Sequence, residues 1–214
     1  MNKVSTKVRS YIENSSVIEA NNGDLTLATA DTSTITSDVI APSLEVGVGT
    51  GSTFSASIGL SIARNEVDNN LEAFIKNSGS TANPIIVNGD LSIAADSSAT
   101  ITANSAASAI GVSVSTSSSP SFSGGGATAT NYITGKANAY IEGSTVGNAS
   151  NKVDSVTLQA DNQSTITAKV KASAVSVGVG PGTTAAFAIG FSLANNYNGR
   201  SDSSTKSTLE VLRD

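Results

Sequence analysis

The side chains that most often do chemistry are missing: the sequence holds no histidine and no cysteine, which excludes Ser-His-Asp and Cys-His centres and imidazole or thiolate metal sites. What remains is carboxylate chemistry. Paired acids, or a carboxylate-bound cation beside a basic residue, would have to converge on one groove to cleave a polysaccharide. The acids that recur are Glu13 and Glu142, with Lys76 at the equivalent place between them, and Asp96 and Asp161, matched by Ala30. A set that changes sign from copy to copy fits solvated surface charge and turn-forming Asp better than catalysis. The single-copy cluster Glu66-Val67-Asp68 reads the same way. No catalytic, cofactor-binding or metal-ligating residue is therefore assigned, and no enzyme activity is expected.

Three other features bear on binding. Structural calcium needs hard oxygen ligands in turns. Asp24 and Asp90 follow Gly23 and Gly89, but the third copy has Asp154-Ser155 without the glycine, and the nonapeptide G-G-x-G-x-D-x-U-x is absent. No cofactor is expected, with a turn-bound calcium as the alternative left open. The pairs Thr34 with Thr36, Thr100 with Thr102 and Thr165 with Thr167 resemble the flat threonine faces of ice-binding solenoids. At 65-residue intervals they make a meagre array, and outward Thr is an ordinary strand residue. Gly47-Val48-Gly49 and Gly124-Gly125-Gly126 lack the Lys-Ser/Thr sequel of a phosphate loop and read as turns and crowded strands.

The elements that would carry these residues follow from composition. Of 214 residues, 14% are charged and 4% aromatic, with no Trp; Ala, Ser, Thr, Gly, Val, Ile and Asn dominate, the letters of closely stacked strands and tight turns. Long amphipathic helices are hard to write with them. The net charge of −5 and pI near 4.7 give no footprint for a phosphate backbone, so nucleic acid is not an expected partner. No stretch approaches the roughly 18 uninterrupted apolar residues of a spanning helix, and Met1 to Asn14 has no apolar core of a signal peptide. Membrane insertion is not expected.

Self-similarity sets the class. Val8 to Ser15 returns as Leu71 to Ser78 and as Ala137 to Ser144, at offsets of 63 and 66; LTLATADTSTIT from Leu25 returns as LSIAADSSATIT from Leu91 and VTLQADNQSTIT from Val156, at offsets of 66 and 65. A third block runs from Thr36 to Asn65, Thr102 to Asn131 and Thr167 to Asn196 without a gap, each copy ending in Ala-x-Asn. Length varies only from Tyr11 to Leu25, Phe74 to Leu91 and Tyr140 to Val156, which marks a loop. The spacing predicts one repeat domain over 1–214: 1–7 as the tail of a preceding unit, 8–70, 71–136 and 137–199 as three repeats, and 200–214 as a tail or the start of a fourth, on the match of Leu209 to Leu212 with Leu71 to Phe74.

Period-two alternation places Leu44, Val46 and Val48 on one face, followed by Phe54, Ala56, Ile58, Leu60 and Ile62; the third copy repeats it with Val175, Val177, Val179, Phe187, Ile189, Phe191 and Leu193. The Ser, Gly and Ala between them read as the outward, weakly covered face. Pro120 and Gly124 to Gly126 read as an interruption of the second strand in the middle copy. The fold class is all-β. A β-solenoid of parallel coils is favoured by the low aromatic content and head-to-tail units; the alternative is an antiparallel meander, sandwich or elongated barrel of hairpins.

The order of blocks, an AYIENS-like strand, a GDLTL-like strand with an Ala-Asp turn, TIT, SVGVG and an Ala-rich strand ending in A-x-N, resembles the repeats of very large bacterial exoproteins of the filamentous-haemagglutinin-like and LEPR-XLL type. The resemblance implies a stalk or adhesin array at the bacterial cell surface or secreted from it. Its expected partners are neighbouring repeats of the same chain and an unidentified surface or glycan ligand, and it carries over no functional residue.

Overall fold

The computed structural model describes residues 1–199. Thirteen strands follow in order: β1 (Asn2–Glu13), β2 (Glu19–Ala20), β3 (Leu25–Asp31), β4 (Thr34–Gly49), β5 (Ser55–Lys76), β6 (Ile86–Val87), β7 (Asp90–Ser97), β8 (Thr100–Ser115), β9 (Ser121–Ile133), β10 (Lys136–Glu142), β11 (Ser155–Asn162), β12 (Thr165–Val179) and β13 (Ala186–Asn198). All pairing between them is parallel. The chain is a β-solenoid, and no hairpin closes around Gly51 or Gly182.

Register gives the winding. Ile35 pairs with Ile101 and Ile101 with Ile166, as direct neighbours across the ladder. Each repeat unit is therefore one full coil, and equivalent residues lie one strand spacing apart, about 4.8 Å. Four ladders run along the axis: β1-β5-β9-β13 with β10 also on β5, β3-β7-β11, β4-β8-β12, and the short β2-β6 pair. The ungapped 30-residue block is continuous in register, with Asn65 on Asn131 and Asn131 on Asn196. Its constancy follows from stacking, because one inserted residue would turn every later side chain of that coil to the other face. The variable segment is a corner, where the longer copies spend their extra residues on local turns such as Ser80 to Asn83 and Asn148 to Asn151.

Two apolar clusters fill the broad part of the coil. One gathers Leu27, Leu71, Ile75, Ile85, Val87, Leu91 and Ile93; the other gathers Ile35, Val67, Ile101, Ala129 and Ile133. Each fully buried aliphatic side chain contributes about 1.5–3 kcal/mol. At the far end of the coil, where β4, β8 and β12 face β5, β9 and β13, the interior changes character. Ser43 meets Ser57 at 2.8 Å, Ser61 meets Ser105 at 2.8 Å, and Ser176 donates to Ser121 at 2.8 Å. The inward column Gly59-Gly125-Gly190 lets the sheets close further: a Cβ on Gly59 would lie 2.7 and 2.9 Å from the carbonyl oxygens of Ser108 and Ala41. This part is a thin two-sheet blade.

The blade reverses the expected faces. Ser55, Ser57, Ser61, Ser105, Ser113, Ser121 and Ser123 are buried, while Leu44, Val46, Val48, Ile58, Leu60, Ile62, Val175, Val177, Val179, Phe187, Ile189, Phe191 and Leu193 are exposed. Alternation specifies that two faces differ, and the assumption that the apolar one is covered fails where the opposite sheet is too close for anything but Ser, Ala and Gly. Phe54 also has a different counterpart from the one expected, since Phe187 shares its register column with Phe122 and Ala56. Nor do Gly124 to Gly126 interrupt a strand. β9 runs through them unbroken, because ladder bonds need only backbone, and Leu60 of the coil above leans to within 3.1 Å of where a Cβ of Gly126 would be.

The corner after β1, β5 and β10 explains the recurring Asn-Ser or Gly-Ser. Asn14, Asn77 and Gly143 have φ of 54°, 46° and 57°, the left-handed region that Gly and Asn tolerate. Asn77→Val is expected to destabilise the protein by about 1–2 kcal/mol, while Asn77→Gly stays near wild type. Urea unfolding of the two variants checks this, and equal stabilities would show that the corner is not held in that conformation.

Candidate functional site

Ladder positions in this fold recur at one strand spacing, so the candidate sites are columns. On the inner side, Asn2 donates to Asn65 at 2.9 Å, Asn65 to Asn131 at 2.8 Å, and Asn131 to Asn196 at 2.9 Å. Asn65 and Asn131 have no exposed surface. A primary amide carries one donor direction up the column and one acceptor down it, so identical side chains satisfy one another when stacked. This is the physical content of the Ala-x-Asn signature. The sequence shows the recurrence of Asn; that it points inward among Ala63, Val67 and Ile133 needs the register.

The outer side of the β1-β5-β10 ladder holds the charges. Lys76 donates to Glu142 at 3.1 Å, so the alternating Glu13, Lys76 and Glu142 form a column of alternating sign. The hydrogen bond and charge of Glu142 push the Lys76 ammonium above its usual range. Arg9 reaches Glu72 at 2.6 Å with Lys7 at 3.7 Å, and Lys3 reaches Glu66 at 2.8 Å. Partial burial raises Glu72, but the hydrogen bond and charge of Arg9, the charge of Lys7 and the hydrogen bond from Asn70 outweigh it and hold Glu72 below the usual carboxylate range. These are cross-coil ties on an open surface, where water and salt screen the pairs and keep their contribution to stability small. Beside them Phe74 is clamped between Tyr11 and Tyr140, at ring separations of 5.3 and 5.0 Å, and Tyr132 stacks on Tyr197 at 4.8 Å.

The other acids separate. Ala30, Asp96 and Asp161 form one outward column in register, and Gln163 occupies Asp161 at 2.6 Å. Asp24 accepts from the Asp90 amide at 2.9 Å, and Asp90 accepts from the Ser155 hydroxyl at 2.7 Å. The third member of that column is thus Ser155 rather than Asp154, and its carboxylates tie coil to coil. Among the described residues no three Asp or Glu come together as a cation site. Thr34, Thr100 and Thr165 stack in one column, and Thr36, Thr102 and Thr167 in the next. Pairs 65 residues apart in sequence are neighbours in space, so the array is a compact grid of six rather than a sparse one.

A shallow hollow is lined by Ala137, Ala139, Tyr140, Ile141, Glu142 and Ala160; Ala137, Ala139 and Ile141 pack against the apolar cluster of the coil above. Among the described residues it is the uncovered edge of that cluster.

No protein-family model matches the chain, and neither a curated protein nor a solved structure does.

Proposed function

We propose that this chain is a non-enzymatic structural and adhesive repeat module of a large secreted or cell-surface bacterial protein, akin to the repeats of filamentous-haemagglutinin-like exoproteins, and that it supplies length, stiffness and a presented surface. The observation that carries the reading is the one-unit, one-coil winding with continuous ladders of Asn, Ser, aromatic and charged side chains. Each coil's sheets and core are completed by the next, so a lone coil has no closed interior. Proteins of one, two, three and four units are expected to show no cooperative unfolding for a single unit and a melting temperature that climbs with each unit added. Equal melting of one and three units would overturn the reading. Incubation with polyuronates and glucans is expected to yield no turnover.

A second reading rests on the threonine grid, whose six hydroxyls on one flat sheet would suit ice or a glycan. Thermal hysteresis or a glycan-array signal that disappears in Thr102→Lys would favour it over the purely structural role.

A further inference from the structure

The outer face of the β4-β8-β12 sheet carries an aliphatic grid. Its columns are Leu44, Ile110 and Val175; Val46, Val112 and Val177; and Val48, Val114 and Val179. Leu44 is 67% and Val48 75% exposed, and the neighbouring Ile40 is 67% exposed. Three strands about 4.8 Å apart, each spanning nine residues of about 3.3 Å from Ile40 to Val48, give a flat footprint on the order of 400 Å². That is about half of the roughly 800 Å² that each partner of a standard interface contributes, the size class of weak, reversible association. Bordering the grid is a charged column: Asp38, Asn104 and Lys169 in register, with Lys171 one outward position further along β12. Asp38, Lys169 and Lys171 take no part in the ion pairs of the described residues.

We infer that this face docks on the same face of a second copy of the chain, about a twofold axis that runs along the strands through the middle coil. That operation leaves position along the strand unchanged and reverses the order of coils. It sets Leu44 against the partner copy's Val175, Val46 against Val177 and Val48 against Val179, while Ile110, Val112 and Val114 meet their own equivalents. Asp38 then faces Lys169 across the interface, twice, and the aliphatic stem of Lys171 covers Ile40. The face is self-complementary in both shape class and charge. A bilayer is a poorer occupant: Asp38, Lys169 and Lys171 border the aliphatic grid, and hydrocarbon would leave those charges unpaired.

Sedimentation equilibrium of the 214-residue chain at physiological salt is expected to show a monomer–dimer equilibrium with dissociation in the micromolar range. Val46→Asp should abolish the dimer while leaving the circular dichroism and melting of the monomer unchanged, because Val46 is 54% exposed. Asp38→Lys should weaken it about tenfold or more by setting lysines face to face, and Asp38→Lys combined with Lys169→Asp should restore it. A chain that stays monomeric up to about 100 μM, a dimer indifferent to Val46→Asp, or a double variant no tighter than Asp38→Lys would overturn the inference. So would a monomer that binds phosphatidylcholine vesicles through this face.

Discussion

Asn131→Asp is expected to destabilise the protein by about 3 kcal/mol or more at pH 7, although it replaces a single heavy atom of the side chain. Asn131 sits midway in the amide column, donating to Asn196 at 2.9 Å and accepting from Asn65 at 2.8 Å, with no exposed surface. A carboxylate keeps the bond from Asn65 but places an oxygen against the Asn196 oxygen, on the inner side of the ladder. Burial without a counter-charge raises the pKa of the carboxyl in the folded state, while in the unfolded chain it stays near about 3.9. The penalty is therefore absent where both states are protonated, below about pH 4, since the neutral acid can donate to Asn196. It grows as pH rises and levels off above the folded-state pKa. Denaturant unfolding of variant and wild type, compared at each pH, measures the difference. A loss under about 1 kcal/mol at pH 7, or one that does not vary with pH, would show that the column is not a buried donor–acceptor chain.

That column also shows what is legible in a sequence of this kind. Recurrence at 63 to 66 residues, the ungapped block and the loop that absorbs length changes are all visible because in-register stacking forces equivalent positions to keep their face and spacing. Strand and turn identity follow from alternation and from Asn, Asp and Gly at corners. The number of coils per unit is not visible, since one long coil and several short ones can share a period. Pairing of Ile35, Ile101 and Ile166 decides it, and it turns the Thr pairs from distant repeats into a grid.

Alternation does not say which face is buried. Val, Ile and Phe alternate with Ser and Gly through β4, β5, β12 and β13, and apolar transfer alone would place the large residues inside. The structure covers the small ones, because the blade's two sheets interlock through Ser-Ser bonds and glycine approach. The sequence signal for this is positional: Gly59, Gly125 and Gly190 occupy one register column, and glycine kept at a strand interior marks a close backbone approach rather than an exposed face. The charged columns were legible as surface. Their ion pairing was not, because Lys76 and Glu142 are 66 residues apart and meet only across a coil.

Gly125→Val is the sharpest test of the thin blade. A Cβ built on Gly125 would lie 2.5 Å from the carbonyl oxygen of Ser173 and 3.2 Å from its carbonyl carbon. Both are backbone atoms of a paired strand, so no rotamer change relieves the contact. The sheets must part, and parting them stretches the bonds from Ser123 to the Val175 carbonyl at 2.8 Å and from Ser176 to Ser121 at 2.8 Å. Overpacking on this scale costs about 3 kcal/mol or more, and the hydroxyls left unpaired between the sheets add to it. Gly51→Ala is the matched control. It changes a glycine on the same blade with nothing within 4 Å of the added carbon, and its effect should stay within about 0.5 kcal/mol. If the large residues of the blade were the buried ones, the inner column would be open to water and Gly125→Val would add a favoured strand residue. Thermal and urea unfolding of the two variants therefore distinguish the arrangements by sign: a large loss at position 125 with none at 51 is the outcome of a blade closed through glycine and serine.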